Sequence, residues 1–338
     1  MQKDYRTINR NVMINTYELC SKINSLKKSI EYSIENQIVY LENEYINPNR
    51  SGTFDTRRKV FVSKKRTYEA ASAYKGKKIA VLNFANNHSI GGAPYSAGAQ
   101  EESMCRCSTL LPCLEACEEI FYQPHRDAFS RGLLDEYGNS DIIYTPNVTV
   151  FKTDESEPKL LDENDWYNVD VITCAAPEVR YGHNRSKLHE ILFKRIKRIL
   201  DVAALNKVEV LILGAFGCGA FGNPPSLVAE IFEETLVHFP IFETVEFAVF
   251  TRDDTTNYDV FKMYINREYG RKIWDVMYIL DKKYNIKTKT ESSFMMLKDN
   301  VLMLPSNNRD LILFKEKVAQ AQNLDELVFI FDEYSKLL

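Results

Sequence analysis

Between about residues 59 and 251 the apolar positions fall into short continuous runs separated by stretches of helical spacing. The runs 59–62 (KVFV), Ile79–Ala85 (IAVLNFA), 169–175 (VDVITCA), 208–214 (VEVLILG) and 245–251 (VEFAVFT) have the length and continuity of buried strands. Segment 141–152 reads as a strand pair, or as one strand interrupted at Pro146. Between these runs, 67–74 predicts a short helix and 101–111 a longer one. Pro112 starts a further helix, because proline is tolerated in a first turn. Segment 186–205 sets Leu188, Ile191, Leu192, Ile199, Leu200 and Ala203 on one side and Lys and Arg on the other, the pattern of a helix lying on a sheet. Segment 226–239 predicts another helix. Ahead of this region, 5–44 predicts one or two helices followed by a loop at 47–56, and 266–338 reads as a helical extension. Alternation of strands and helices implies an α/β fold: a three-layer α/β/α sandwich on a mixed central sheet, with N-terminal helices and a C-terminal helical extension. The chain divides accordingly into a domain over 1–265 and an extension over 266–338, with no internal repeat.

With 338 residues, 45% of them hydrophobic, the chain can bury a large core. Lys and Arg number 43 against 47 Asp and Glu, so the net charge of −4 gives no global attraction to nucleic acid or an anionic membrane. A polyanionic partner has to be held by local geometry. No apolar stretch predicts a signal peptide or a membrane span, and seven cysteines, an odd number, suit reduced thiols. The expectation is a soluble cytoplasmic protein with no membrane partner; nothing predicts its oligomeric state.

Two loops carry the candidate chemistry. The first follows the Ile79–Ala85 strand: Asn86-Asn87-His88-Ser89-Ile90-Gly91-Gly92-Ala93-Pro94, a short spacer, then Gln100-Glu101-Glu102 opening a helix. Small residues let backbone N–H groups approach a ligand, and a helix start adds unpaired N–H groups of its own. The same residues also read as a plain turn leading to an acidic first turn that the helix dipole favours. The second loop, Gly214-Ala215-Phe216-Gly217-Cys218-Gly219-Ala220-Phe221-Gly222-Asn223-Pro224-Pro225, looks like a nest of N–H groups for a diphosphate, with Phe216 or Phe221 offering a face to a sugar or base. It is neither a P-loop nor a GxGxxG fingerprint. Two such loops, each after a buried strand, point to one site.

These residues resemble the microbial-type poly(ADP-ribose) glycohydrolases and their macrodomain relatives. The matches are Val81 to Ala85, Gly91-Gly92, Gln100-Glu101-Glu102 with Ser103 and Cys105-Arg106, and Gly214 to Asn223, so that the resemblance runs from near the N-terminus to about Phe261. The chain departs from the family where Ala93-Pro94 stands in place of the third glycine and its follower, and where Ser89-Ile90 replaces an Asn-Pro. The resemblance implies a hydrolase that releases ADP-ribose from poly(ADP-ribose) or from an ADP-ribosylated target, protein or nucleic acid, without metal or cofactor. It further implies Glu102 as general acid and later activator of water, Glu101 as holder of a ribose hydroxyl, and Gln100 as a shaping residue. Gly91, Gly92 and Ala93 belong to the substrate loop. Gly217, Cys218, Gly219, Ala220 and Gly222 would cradle the diphosphate, and Phe221 would pack on a ribose.

Cleavage at an anomeric carbon develops oxocarbenium character and needs a proton for the leaving oxygen and a placed water. A helix start stabilises a charged carboxylate, so the acid has to be pushed toward its neutral form by burial or by a nearby negative charge. The alternative function is a non-catalytic ADP-ribose-binding module. Cys105, Cys107, Cys113 and Cys117 lie close in sequence but lack paired CxxC spacing, so free thiols are expected there rather than zinc ligands. The basic stretches Arg57-Arg58-Lys59 and Lys64-Lys65-Arg66 read as solvated surface, with polymer phosphates or nucleic acid as the functional alternative.

Overall fold

A computed structural model describes residues 4–48, 59–180, 185–236, 238–265, 298, 302, 309–323, 326–327 and 329–330. Seven strands form one sheet: β1 (Ile38–Tyr40), β2 (Lys59–Ser63), β3 (Ile79–Ala85), β4 (Ile142–Val150), β5 (Tyr167–Ala175), β6 (Val210–Leu213) and β7 (Thr244–Ala248), in the order β1-β4-β5-β3-β6-β7-β2. β1, β4 and β5 pair antiparallel, and the pairs from β5 through β3, β6 and β7 to β2 are parallel. The sheet is therefore mixed, and its central strands are apolar on both faces.

Alternation along the strands divides the core in two. Ala80, Leu82, Ile172, Leu211, Leu213, Val245 and Phe247 face a layer made by α7 (Arg185–Leu205), α8 (Pro225–Leu236) and α9 (Thr256–Ile265). Ile79, Val81, Val169, Val171, Val210 and Ile212 face the opposite layer, built from Met13 of α1 (Tyr5–Lys22), α3 (Thr67–Ala71), α4 (Gln100–Cys107) and α5 (Leu110–Glu115). α2 (Asn24–Glu35) and α6 (Gln123–Ser130) complete the N-terminal half. This is the three-layer arrangement that the patterning predicts. Of the extension, α10 (Arg309–Gln320) buries Phe314 and Val318 in the core of the α7–α9 layer.

Several local expectations change. The predicted helix over 101–111 ends at Cys107, because Ser108 is extended and its hydroxyl turns back to the Met104 carbonyl at 2.8 Å. The next helix begins at Leu110, so Pro112 lies within its first turn rather than starting it. Segment 141–152 is neither a pair nor broken: Pro146 and Asn147 form a bulge in β4, between Thr145 and Val148 of the register with β5. Asn147 adopts φ 59°, and its N–H donates to Asp170 Oδ1 at 3.0 Å. The helical reading of 5–44 omits β1, and the reading of the middle region omits α6 and α9. The expected loop at 47–56 and most of the 266–338 extension lie outside the described residues.

Candidate active site

The C-terminal ends of β3, β6, β7 and β2 open onto a cleft of about 580 Å³. Over β3 lie the loop 86–99 and the first turn of α4; over β6 lies the glycine-rich loop. Phe250 follows β7 and Arg66 follows β2, and both line the far side. Binding at the carboxyl ends of parallel strands is the rule for open α/β sheets.

Gln100 fixes the start of α4. Its Nε2 donates to the Leu82 carbonyl at 2.7 Å and to Thr67 Oγ1 at 3.0 Å, and its Oε1 accepts the Phe84 N–H at 2.9 Å. Its polar atoms are thus engaged with the scaffold, and it acts by holding the helix against β3. Glu101 then turns toward the strand: Oε1 accepts from Asn83 Nδ2 at 3.2 Å and Oε2 from the Asn86 N–H at 3.0 Å. Glu102, one residue and about 100° further round the helix, turns to the loop, and its Oε1 accepts the Ala93 N–H at 3.1 Å. Its Oε2 is buried and accepts no hydrogen bond.

The two carboxyl groups press on one point, the α-carbon of Gly92. A Cβ there would lie inside contact distance of Glu102 Oε1 and 3.2 Å from Glu101 Oε2, and the backbone stands at φ +68°. Both space and conformation therefore demand glycine at this position. Ala93 makes no such demand, since positive φ among the described non-glycine residues is confined to Asn147 and Lys207. Its N–H is the donor that reaches Glu102, and the Pro94 carbonyl accepts from Arg106 Nη1 at 2.9 Å. Burial pushes the Glu101 carboxyl up to about 8 against the bonds from Asn86 and Asn83, and the neighbouring Glu102 charge adds to the rise. Glu101 accordingly retains its proton near neutral pH.

The glycine-rich loop is shaped from behind. Asn223 Nδ2 donates to the Pro177 carbonyl at 2.8 Å and to the Gly217 carbonyl at 3.2 Å, and a Cβ on Gly217, at φ +70°, would come within 2.5 Å of that nitrogen. The N–H groups of Cys218 and Gly222 are taken by Ala215 and Gly219 carbonyls. Those of Gly217, Gly219, Ala220 and Phe221 meet no backbone acceptor among the described residues, which leaves them for an anion.

Of the residues singled out in the sequence, Gly92, Ala93, Gln100, Glu101, Glu102, Gly217, Gly219, Ala220 and Phe221 line the one cleft. Gly91, Cys218 and Gly222 are not part of its lining: Gly91 and Cys218 are buried, and Gly222 is exposed next to Arg180. Phe216 offers no face to a ligand; it is fully buried, edge-on to Phe84 at 6.0 Å. Phe221 is half-buried at the cleft. The four clustered thiols are free and buried, and those of Cys107 and Cys113 point at the carbonyls of Thr153 and Thr109. Among the described residues no group of three or more His, Cys, Asp or Glu is placed to hold a metal, and no helix is long and apolar enough to cross a membrane.

Sequence reasoning missed Asn83, Asp154 and Phe250. Asn83 is the one polar residue in the IAVLNFA run, a signal that its side chain has a specific partner. Phe250 directly follows a buried strand. Asp154, whose oxygens accept Ser103 Oγ at 2.9 Å and the Tyr68 N–H at 2.9 Å, stands in a polar stretch with no pattern around it.

Residues 9–153 match the family model described as microbial-type PARG, catalytic domain. No curated protein sequence matches the chain. Among solved structures it is similar to the poly(ADP-ribose) glycohydrolase of Thermomonospora curvata, at TM-score 0.64 and 25% identity over 76% of this chain and 98% of that one. A structure of the same enzyme bound to the inhibitor ADP-HPD matches at TM-score 0.63 and 27% identity, over 77% and 99% of the two chains. The poly(ADP-ribose) glycohydrolase of Deinococcus radiodurans in complex with ADP-ribose matches at TM-score 0.63 and 27% identity, over 71% and 97%. The paired glutamates and the second loop thus open on one cleft in a chain whose residues 9–153 resemble the microbial-type PARG catalytic domain and whose fold is similar to that of these poly(ADP-ribose) glycohydrolases.

Proposed function

We propose that this protein hydrolyses the O-glycosidic bond of ADP-ribosyl linkages and releases ADP-ribose from poly(ADP-ribose). The observation that carries the reading is the carboxyl pair over β3: one buried acid, Glu101, that keeps its proton near neutrality beside a second, Glu102, that lines the cleft and has one oxygen without a hydrogen bond. The ligand runs across the strand ends. Its glycosidic ribose lies at Glu101 and Glu102, its diphosphate at the N–H groups of Gly217, Gly219, Ala220 and Phe221, and its adenosine toward Phe250. From β3 to β2 there are three strand spacings, about 14 Å, which accommodates an extended ADP-ribose.

In this reading Glu102 donates a proton to the leaving oxygen, and the carboxylate so formed activates the incoming water. Glu101 is held by Asn83 and Asn86 and meets a ribose hydroxyl. The glycine-rich loop fixes the diphosphate so that the anomeric carbon is presented to Glu102. Ala93 leaves this machinery intact because it acts through its N–H, which favours an enzyme over a binding module. Release of ADP-ribose from automodified poly(ADP-ribose) polymerase tests the proposal. Glu102→Gln should lower kcat by roughly 10²- to 10⁴-fold, the range for loss of a general acid, while calorimetry still finds ADP-ribose bound. Undiminished release by this variant would refute the assignment.

A further inference from the structure

Arg106 is a buried cation to which the proposed mechanism gives no task. It stands four residues past Glu102 on α4, one turn further along the same side of the helix, and is 3% exposed. Arg126 and Arg180 pair with Glu118 and Glu178. Arg106 makes no ion pair among the described residues; its Nη1 donates to two carbonyls of the substrate loop, Pro94 at 2.9 Å and Ala97 at 2.7 Å. Its Nε is buried without a partner. Burial pushes the guanidinium below its ordinary value. A charge held at that cost, where a hydrocarbon side chain of similar size would pack, points to the loop it serves.

The two carbonyls belong to one turn. The Ala93 carbonyl accepts the Ser96 and Ala97 N–H groups at 3.0 and 2.9 Å, so 93–97 folds like a single turn of helix. The carbonyls that such a turn leaves unpaired are taken up from outside, by Arg106 at Pro94 and Ala97 and by Asn9 of α1 at Ser96 and Ala97. Pro94 is buried, fixes its own φ and brings no N–H, so a hold on its carbonyl reaches back to Ala93. On the other side of Ala93 is the N–H that donates to Glu102 Oε1 at 3.1 Å. The preceding arm of the loop is secured separately. Asn86 Oδ1 accepts the N–H groups of His88 and Ser89 at 2.8 and 3.0 Å, and the Ser89 carbonyl accepts the Gly92 N–H at 3.0 Å.

We propose that Arg106 is a positioning residue for the reaction: it locks the 93–97 turn so that the Ala93 N–H keeps Glu102 aimed at the leaving oxygen. The proposal rests on the role given to Glu102 above. Arg106 lies outside the lining of the cleft and acts through the loop. Asn9 reaches only the far end of the turn, and without it the Pro94 carbonyl is still held. The glycine-rich loop is built independently, on Asn223 and Pro177, so the hold on the diphosphate persists without Arg106.

Arg106→Met fills a similar space without the charge. In the full chain it should lower kcat on poly(ADP-ribose) about 10²-fold, the loss for a displacement of about 1 Å. Calorimetry should find its affinity for ADP-ribose within about threefold of the parent. Hydrogen exchange at the Ala93 amide should speed up about tenfold, a readout that needs no turnover. In Arg106→Ala, guanidinium chloride far below unfolding concentrations should restore part of kcat, and sodium chloride at the same ionic strength should not. Undiminished kcat, equal losses of kcat and affinity, or Ala93 exchange as slow as in the parent would overturn the proposal. So would a folded Arg106→Ala that guanidinium rescues no better than sodium chloride does; where that variant does not fold, Arg106→Met decides alone. A parent protein that releases no ADP-ribose would instead remove the functional reading, and exchange at Ala93 would still decide whether Arg106 sets the loop.

Discussion

At the level of single residues, the adjacent glutamates divide their tasks because consecutive side chains on a helix diverge. Glu101 turns toward β3 between Asn83 and Asn86 and is pushed up to about 8 by burial, whereas Glu102 lines the cleft with one buried oxygen unengaged. The pH dependence follows from the sign of that rise. Below about pH 8 Glu101 is neutral, and above it a buried negative charge faces the ribose of an anionic ligand, so kcat/KM should fall on the alkaline side with an apparent pKa near 8. Stability should move the same way. The unfolded chain releases this proton near the ordinary carboxyl value of 4.5 and the native chain near 8, so Glu101 lowers stability as pH rises between them. Infrared difference spectra across that interval should show a protonated carboxyl that is missing in Glu101→Gln. Gly92 is the other residue on which the pair depends. In Gly92→Ala the new methyl collides with Glu102, and a displacement of about 1 Å is enough for a loss near 10²-fold in kcat, to be measured with circular dichroism confirming that the fold persists.

At the level of elements, α1 supports the substrate loop from outside. Asn9 Nδ2 donates to the Ser96 and Ala97 carbonyls at 3.2 and 3.1 Å, Thr16 Oγ1 donates to the Arg106 carbonyl at 2.7 Å, and Arg106 in turn holds Pro94 and Ala97. Asn9→Ala removes two of these bonds and should cost about 1–2 kcal/mol in thermal unfolding, with KM raised more than kcat is lowered because the loop loosens while the glutamates stay in place. None of this was legible in sequence, where α1 has only mixed helical spacing and its polar residues resemble surface positions. The buried strands were legible because apolar continuity on both faces has few other causes. β1 was missed because three residues pairing at a sheet edge carry no periodicity. The bulge in β4 was half visible in Pro146. It also reverses the face alternation, so Ile143 and Val148, of opposite parity, enter the same core cluster. The two loops were legible through glycine, whereas the far wall of the cleft at Asp154 and Phe250 is assembled from residues distant in sequence.

At the level of the whole molecule, the sheet places the site across a boundary that the family match does not span. Residues 9–153 contain β2, β3 and β4, yet β3 lies between β5 and β6, and the loop proposed to hold the diphosphate follows β6. A fragment ending at 153 would expose both edges of the central strand and should not fold. The opposite truncation is the sharper test, because sequence patterning set the domain boundary at 265 and the helices beyond it apart as an extension. Phe314, Val318, Ala321 and Leu327 are nonetheless buried in the same cluster as Phe261 and Tyr264 of α9 and Phe232 of α8, and none of them lines the cleft. The described part of the extension thus adds to this core. Removing 266–338 should lower the melting temperature by uncovering that apolar surface, at about 25 cal/mol for each Å² exposed. ADP-ribose should still stabilise the truncated chain, since saturation at a hundredfold excess over Kd adds about 2.7 kcal/mol wherever the site is intact. A truncated protein as stable as the full chain would mean that α10 packs without contributing to the core. One that melts lower and also fails to respond to ADP-ribose would show that the strand ends cannot hold their loops in place without it.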